Sequence, residues 1–184
     1  MAKVVVTGGC GFIGSHLALM LAEDNDVVVF GKSSLPSYLS GKVEFVKGDI
    51  RNLAAVCDAF SGADTVYHLA AQARDSVSFS DTYHDFCVNA LGSINVAEAC
   101  VKNNVKNLVF FSTATVYGNN PDVPFSENAE TMPLSPYAMN KQFVERYIMY
   151  FKKNTTIVRV FNVYGLRPDR SNPDSNVISR CINM

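Results

Sequence analysis

Lys3 to Ser15 reads KVVVTGGCGFIGS. Val4, Val5 and Val6 form a continuous run of β-branched residues, the pattern of a strand buried on both faces. Gly8, Gly11 and Gly14 follow, and from Phe12 the pattern turns helical. A strand passing through glycines into a helix gathers backbone N–H groups and the positive end of a helix dipole, which is where a pyrophosphate binds. A side chain at the first glycine would block the tight turn. At the second it would obstruct approach to the phosphate, and at the third it would push helix away from strand. The spacing is G-x-x-G-x-x-G rather than the commoner G-x-G-x-x-G, so the glycines alone leave a simple tight turn open. Their place directly after an opening strand favours a phosphate cradle spanning Gly8, Gly11, Phe12, Ile13 and Gly14.

Residues 15–24 place Leu17, Met20 and Leu21 on one helical face, and DVVVF at 26–30 is a second apolar strand, which completes a βαβ unit. The position after that strand normally carries an acid for the ribose hydroxyls. Here it reads Gly31-Lys32-Ser33. No carboxylate stands there to repel a 2′-phosphate and Lys32 could pair with one, so NADP competes with NAD; a solvated loop lysine explains Lys32 equally well. A third strand at 43–47 leads to GDIRN, where Asp49 could hold the amino edge of an adenine and Ile50 support its ring, or Asp49 could cap the helix at 53–60. TVYHL at 65–69 is a fourth strand. Small residues follow Leu69, and Ala70 and Ala71 let the backbone pass close to a ligand; His68 reads as a packed residue beside it.

A long helical pattern at 81–103 carries Val88, Leu91, Asn95 and Val96 at helical spacings. A fifth strand at 108–111 ends in Ser112-Thr113, a helix at 137–153 is announced by Pro133 and Pro136, and 155–160 is a sixth strand. Strands alternating with helices predict an α/β fold, a Rossmann-type doubly wound parallel sheet with helices on both faces. Residues 1–160 then form a dinucleotide-binding domain, and 161–184 begin a substrate-binding region.

With 184 residues, 48% of them apolar and 18% charged, the chain has the composition of one globular domain with a real core. A net charge of −1 gives no reason to expect nucleic acid or an anionic membrane. No apolar run approaches a membrane span, and Met1 opens into a strand rather than a signal peptide. Cys10, Cys57, Cys87, Cys100 and Cys181 form no C-x-x-C pair, and His16, His68 and His84 lack ligand spacing. Free thiols in a reducing cytoplasm, without a metal, are the expectation.

Tyr137 and Lys141 stand four apart on a helix and so share a face. A free phenol has a pKa of about 10, too high for a base at neutral pH. An ammonium beside it, together with an oxidised nicotinamide, would favour the phenolate. Thr113, at the carboxyl end of the fifth strand, can hydrogen-bond the same substrate oxygen. Tyr-x-x-x-Lys alone is common on surface helices. Behind a phosphate loop and a strand-ending Ser-Thr it is a catalytic pattern.

These residues resemble the extended short-chain dehydrogenase/reductases that act on nucleotide sugars. TGGCGFIGSH at 7–16 looks like their cofactor loop and GDIRN at 48–52 like their adenine-contacting turn; HLAAQ at 68–72, VNALGSINV at 88–96 and FFSTATVYG at 110–118 follow in order, then YAMNK at 137–141 and RVFNVYG at 159–165. The resemblance implies that Tyr137 is the base, that Lys141 lowers its pKa and holds the cofactor ribose, and that Thr113 orients the sugar hydroxyl. It also implies that Asn162 contacts the nucleotide sugar, although a loop Asn is also a turn former, and that Asn89 supports the active-site backbone. The implied reaction is that of a UDP-hexose 4-epimerase, with hydride leaving carbon 4 and returning to the other face of a rotated 4-keto sugar.

Related 4,6-dehydratases carry Thr-Asp-Glu where this chain has Thr113-Ala114-Thr115, because eliminating water needs an extra acid and base. A reductase or dehydrogenase of the same family stays open, as does a cofactor-binding module without turnover. By the resemblance, NAD is the cofactor with NADP as its competitor, a nucleotide sugar is the substrate, and pairing through the helices at 82–103 and 137–153 makes a homodimer. Family members run longer, so the chain reads as C-terminally shortened, ending in SNVISRCINM.

Overall fold

Among the described residues, six parallel strands, β1 (Lys3–Thr7), β2 (Asp26–Gly31), β3 (Glu44–Lys47), β4 (Thr65–His68), β5 (Asn107–Thr113) and β6 (Thr155–Val160), form one sheet in the order β3-β2-β1-β4-β5-β6. The structure, a computed structural model, describes residues 1–151 and 154–166. SNVISRCINM, Cys181 and most of the expected substrate-binding region lie outside the described residues. Val5 of β1 sits opposite Val28 of β2 and Val66 of β4, so the opening strand is central and flanked on both sides. That position explains its uninterrupted valines, since neither face meets water.

The strand pleat sorts the core into two layers. Val5, Val28 and Val66 pack with Val56 and Ala59 of α2 (Leu53–Ala59), Val96 and Cys100 of α5 (Gly92–Lys102), and Val144 and Ile148 of α6 (Pro136–Phe151). Val4, Val6, Val27 and Val29 face the other way, onto Ala18 of α1 (Phe12–Leu21) and Leu39.

Three details depart from the periodicity. The face of α1 that packs on the sheet is Gly14, Ser15 and Ala18, whereas Met20 is 70% exposed. Small residues win there because the helix must approach the strand closely enough to bring its amides to the glycine turn. The helical stretch at 81–103 is broken into α4 (Thr82–Phe86), a π turn (Cys87–Leu91) and α5. The wider π turn rotates the pattern out of phase, so Asn89, Ala90, Ser93 and Asn95 are buried while Leu91 is exposed. A short helix, α3 (Asp75–Ser80), has no counterpart in the sequence pattern, its three serines giving little helical signal.

Candidate active site

Strand order reverses at β1: its crossover leads to β2 on one side, while β4 lies on the other. A cleft of about 1240 Å³ opens at the carboxyl ends of the strands at this switch point, the place where open α/β sheets bind ligands. Gly8, Gly11, Phe12, Ile13 and Gly14 line it, with Lys32, Asp49 and Ile50 on the β2–β3 side and Leu69, Ala70 and Ala71 beyond β4. Thr113, Tyr137, Lys141 and Asn162 line its far end. Every residue singled out for cofactor or substrate thus faces one continuous space.

The cradle depends on missing side chains. Gly8 has φ +71°, and a Cβ there would stand 2.7 Å from the backbone nitrogen of Ala70. A Cβ on Gly14 would overlap the Gly8 carbonyl oxygen. Gly11 donates to that same oxygen at 2.9 Å, closing the turn. No side chain caps α1 at Gly11, so the first-turn amides have no acceptor from the helix itself. A pyrophosphate fits such a set of donors.

At the β2–β3 side, Arg51 donates to Asp49 at 2.6 Å and the Lys32 ammonium stands 3.5 Å from the same carboxylate. The Arg51 hydrogen bond, helped by both positive charges, holds the Asp49 carboxyl at about 2. Asp49 does not cap α2. That role belongs to Asn52, whose side chain accepts from the Ala55 N–H. A Cβ on Gly31 would meet nothing within 4 Å, so the place of the usual acid is open space.

His68 lies wholly inside, and burial pulls its pKa down to about 3. Its tautomer follows from its neighbours: the Ser93 hydroxyl donates to the Asn89 carbonyl at 2.6 Å and therefore accepts from His68 Nε2 at 2.8 Å. Nδ1 is left to accept from the Thr7 hydroxyl at 2.7 Å. The imidazole is neutral and spans β1, β4 and α5, a packed residue rather than a proton carrier.

At the far end, Tyr137 and Lys141 lie on the first turns of α6 and Thr113 closes β5. Burial raises the Tyr137 phenol to about 12, against a hydrogen bond from Thr113 that lowers it; the charges of Asp75 and Asp85 push it further up. Burial pulls the Lys141 ammonium down to about 7, opposed by the charges of Glu145 and Asp85. Lys141 Nζ donates to the Phe111 carbonyl at 2.6 Å and lies 4.3 Å from the centre of the Phe110 ring. Thr113 Oγ1 lies 3.0 Å from Thr115 Oγ1 and accepts from the Thr115 N–H at 3.2 Å, so the backbone turn fixes its hydroxyl. Beyond β6, Leu166 reaches back to α1, its carbonyl 2.8 Å from His16 Nε2, and Asn162 lies on the exposed segment between.

Residues 4–184 match the model of the NAD dependent epimerase/dehydratase family. The chain belongs to that family. Among curated relatives of this family member, a pea (Pisum sativum) bifunctional UDP-glucose 4-epimerase and UDP-xylose 4-epimerase is 33% identical, over 89% of the chain and 53% of its own length. The structure of a Methanobrevibacter ruminantium UDP-N-acetylglucosamine 4-epimerase in complex with UDP-N-acetylmuramic acid superposes with a TM-score of 0.92 at 34% identity, over 99% of the chain and 62% of that protein. A Thermus thermophilus UDP-glucose 4-epimerase in complex with NAD gives 0.85 at 36%, over 93% and 58%. The chain spans about half the length of the curated relatives it matches, from 43% to 59%.

Within this family member three polar residues near the site went unassigned by sequence reasoning. Ser135 donates to Asp75 at 2.8 Å and accepts from the Ala138 N–H at 3.2 Å, which ties α3 to the start of α6. Gln72 and Asp85 join the same wall. The one signal for Asp85 is its spacing of four from Asn89, which places two polar groups on the inward face of the same helix.

Proposed function

We propose that this site is that of an NAD-dependent nucleotide-sugar 4-epimerase of the UDP-hexose type. The observation that carries the reading is the placement of Thr113, Tyr137 and Lys141 at one end of the cleft whose other end is the glycine cradle. The amides after Gly8 and Gly11 would hold the pyrophosphate, Asp49 and Ile50 the adenine, and Lys141 the nicotinamide ribose. When oxidised and bound there, the dinucleotide supplies a hydride acceptor and a positive charge. Tyr137 takes the proton of the reacting hydroxyl and later returns it, and Thr113 hydrogen-bonds the same oxygen. Lys141 sits one helical turn from the phenol, from where its ammonium, once charged with the dinucleotide in place, would favour the phenolate. Asn162, which lines the cleft, would contact the sugar or diphosphate. The region from 161 onward would extend the substrate side.

Thr113-Ala114-Thr115 supplies no acid of the dehydratase kind, which favours epimerisation. The rival reading is a cofactor module without turnover. Calorimetric titration with NAD and with NADP, followed by assay of UDP-glucose and UDP-galactose interconversion, separates them. Tight NAD binding with turnover supports the epimerase. Binding without turnover supports the module, and a folded chain that binds neither dinucleotide overturns both.

The reading includes a homodimer. Met139, Phe143, Tyr147 and Phe151 make an i, i+4 stripe along α6, with ring centres 6.0 and 5.5 Å apart, and Met139, Phe143 and Phe151 are exposed. Phe86 and Leu91 are exposed on the neighbouring α4 and π turn. A second copy burying these faces would remove them from water. Phe143→Glu should then shift sedimentation from dimer to monomer; an unchanged profile overturns the pairing. No described helix is long and apolar enough to cross a membrane, and the free thiols Cys10, Cys57, Cys87 and Cys100 suit the reducing cytoplasm where we place the protein.

A further inference from the structure

Asp85 is fully buried on α4, and it belongs to no ion pair among the described residues. Its Oδ1 accepts from Gln72 Nε2 at 2.8 Å and from Asn89 Nδ2 at 2.8 Å; its Oδ2 accepts from Asn140 Nδ2 at 2.7 Å. These donors stand on three separate pieces of chain: the turn after β4, the π turn and α6. Asn89 in turn grips the Gln72 backbone from both sides, accepting from its N–H at 2.9 Å and donating to its carbonyl at 2.8 Å. Gln72 directly follows Leu69-Ala70-Ala71, the wall that packs on Gly8. Asn140 directly precedes Lys141.

Burying a carboxylate costs several kcal/mol, and an apolar residue would fill the same space without that cost. The carboxylate does what no neutral side chain can: it accepts from three side-chain amides at once, with the added strength of a charged acceptor. Its charge also reaches both reacting groups, pushing Tyr137 up and supporting the charged form of Lys141.

We propose that Asp85 is a positioning residue that clamps the turn after β4 to the catalytic turn of α6, so that the cofactor wall and the Tyr137–Lys141 pair keep one fixed spacing. The inference rests on the reading of the cleft given above. If one carboxylate links the Gln72 side chain to Asn140, removing either amide breaks the same side-chain bridge while Asn89 keeps its hold on the Gln72 backbone, and the two losses overlap instead of multiplying.

The test is a double-mutant cycle in the full chain, using Gln72→Ala, Asn140→Ala and both together. It is read on the NAD dissociation constant, on UDP-glucose turnover and on amide exchange at residues 70–74. Each single variant should lose about fivefold or more in affinity or kcat, and the double should lose no more than about twice the worse single. Asn140→Ala, on α6, should also speed exchange of the Gln72 amide across the Asp85 bridge. Losses that multiply, or an exchange rate at Gln72 unmoved by Asn140→Ala, overturn the clamp. A role limited to stability would lower the melting temperature and leave affinity and kcat of the folded protein unchanged, which also overturns it. Should the wild type bind NAD yet epimerise no UDP-hexose, the functional reading fails while affinity and exchange still decide the clamp. Asp85→Asn retains one acceptor oxygen and the shape of the side chain, and it gives a folded variant in which coupling between Gln72 and Asn140 should shrink toward additivity.

Discussion

The Lys141 ammonium is bonded to the carbonyl of Phe111 at 2.6 Å, two residues before Thr113 on the same strand. This bond holds the lysine against β5. The free chain therefore carries Tyr137 and Lys141, the proposed reacting pair, in reversed order. The phenol lies near 12 and the ammonium near 7, so no pH leaves both charged. An ionised Tyr137 requires the positive charge that an oxidised dinucleotide would bring beside it, since burial alone favours the neutral phenol.

The reversed order has a consequence for stability. Between about pH 7 and 10 the unfolded chain binds a proton at Lys141 that the folded chain does not, so stability rises with pH across that window. Lys141→Met should remove most of this slope. It should also raise the melting temperature at pH 7, by roughly 2–4 °C for each kcal/mol of relieved desolvation, because losing the bond to Phe111 costs only about 1 kcal/mol. Turnover should fall at the same time by about a hundredfold or more. Thermal melts from pH 6 to 10 on both proteins decide it, and a variant as pH-dependent as the parent contradicts the assignment.

Tyr137→Phe removes the proposed proton acceptor and leaves the ring in place. We expect a loss in kcat of about 10²–10⁴-fold with NAD affinity changed little. His68 offers no substitute, being neutral down to about pH 3 and committed to Thr7 and Ser93. An acidic limb in the rate profile that survives Tyr137→Phe unchanged would assign the base elsewhere.

Much of this arrangement was legible in the sequence, because its causes are local. Three consecutive valines mean a strand covered on both faces, and glycines at Gly8 and Gly14 mean backbone packed on backbone. Tyr137 and Lys141 share a helix face by spacing alone. The hidden parts depend on contacts between distant segments. The small-residue face of α1 wins over Leu17 and Met20 because the sheet sets the approach distance. The π turn at Cys87–Leu91 shifts the helix phase without altering composition. Asp85 looks like an ordinary solvated acid until Gln72 and Asn140 are seen to converge on it.

In the proposed reading, cofactor choice turns on Gly31 and Lys32. The empty space at the Gly31 Cβ position means that Gly31→Asp should fold as well as the parent, with the melting temperature nearly unchanged. The new carboxylate would repel a 2′-phosphate and accept from a ribose hydroxyl. The ratio of NADP to NAD dissociation constants should then rise about tenfold or more. Lys32→Ala should weaken NADP alone. Equal effects on the two dinucleotides would remove Lys32 from the 2′ position.

Beneath the reacting end, Arg159 on β6 grips Glu145 of α6 through both carboxylate oxygens, at 2.7 Å for the shortest bond, and Ser112 donates to the same carboxylate. Glu145 is almost wholly buried, and its hydrogen bond raises the Arg159 pKa further. Arg159 also donates to the Glu127 carbonyl and stacks over the Tyr117 ring, its guanidinium carbon 4.8 Å from the ring centre. Removing Glu145 takes the carboxylate from a part-buried Arg159 that keeps its contacts with Glu127 and Tyr117, at a cost of about 1–3 kcal/mol. Glu145→Leu should therefore lower the urea midpoint. The double variant Glu145→Leu with Arg159→Met should recover most of the loss, since an apolar pair of similar volume carries no desolvation penalty. The Glu145 charge also supports protonation of Lys141, so the recovered double variant should remain impaired in turnover. Recovery of both stability and rate would place this ion pair outside the chemistry.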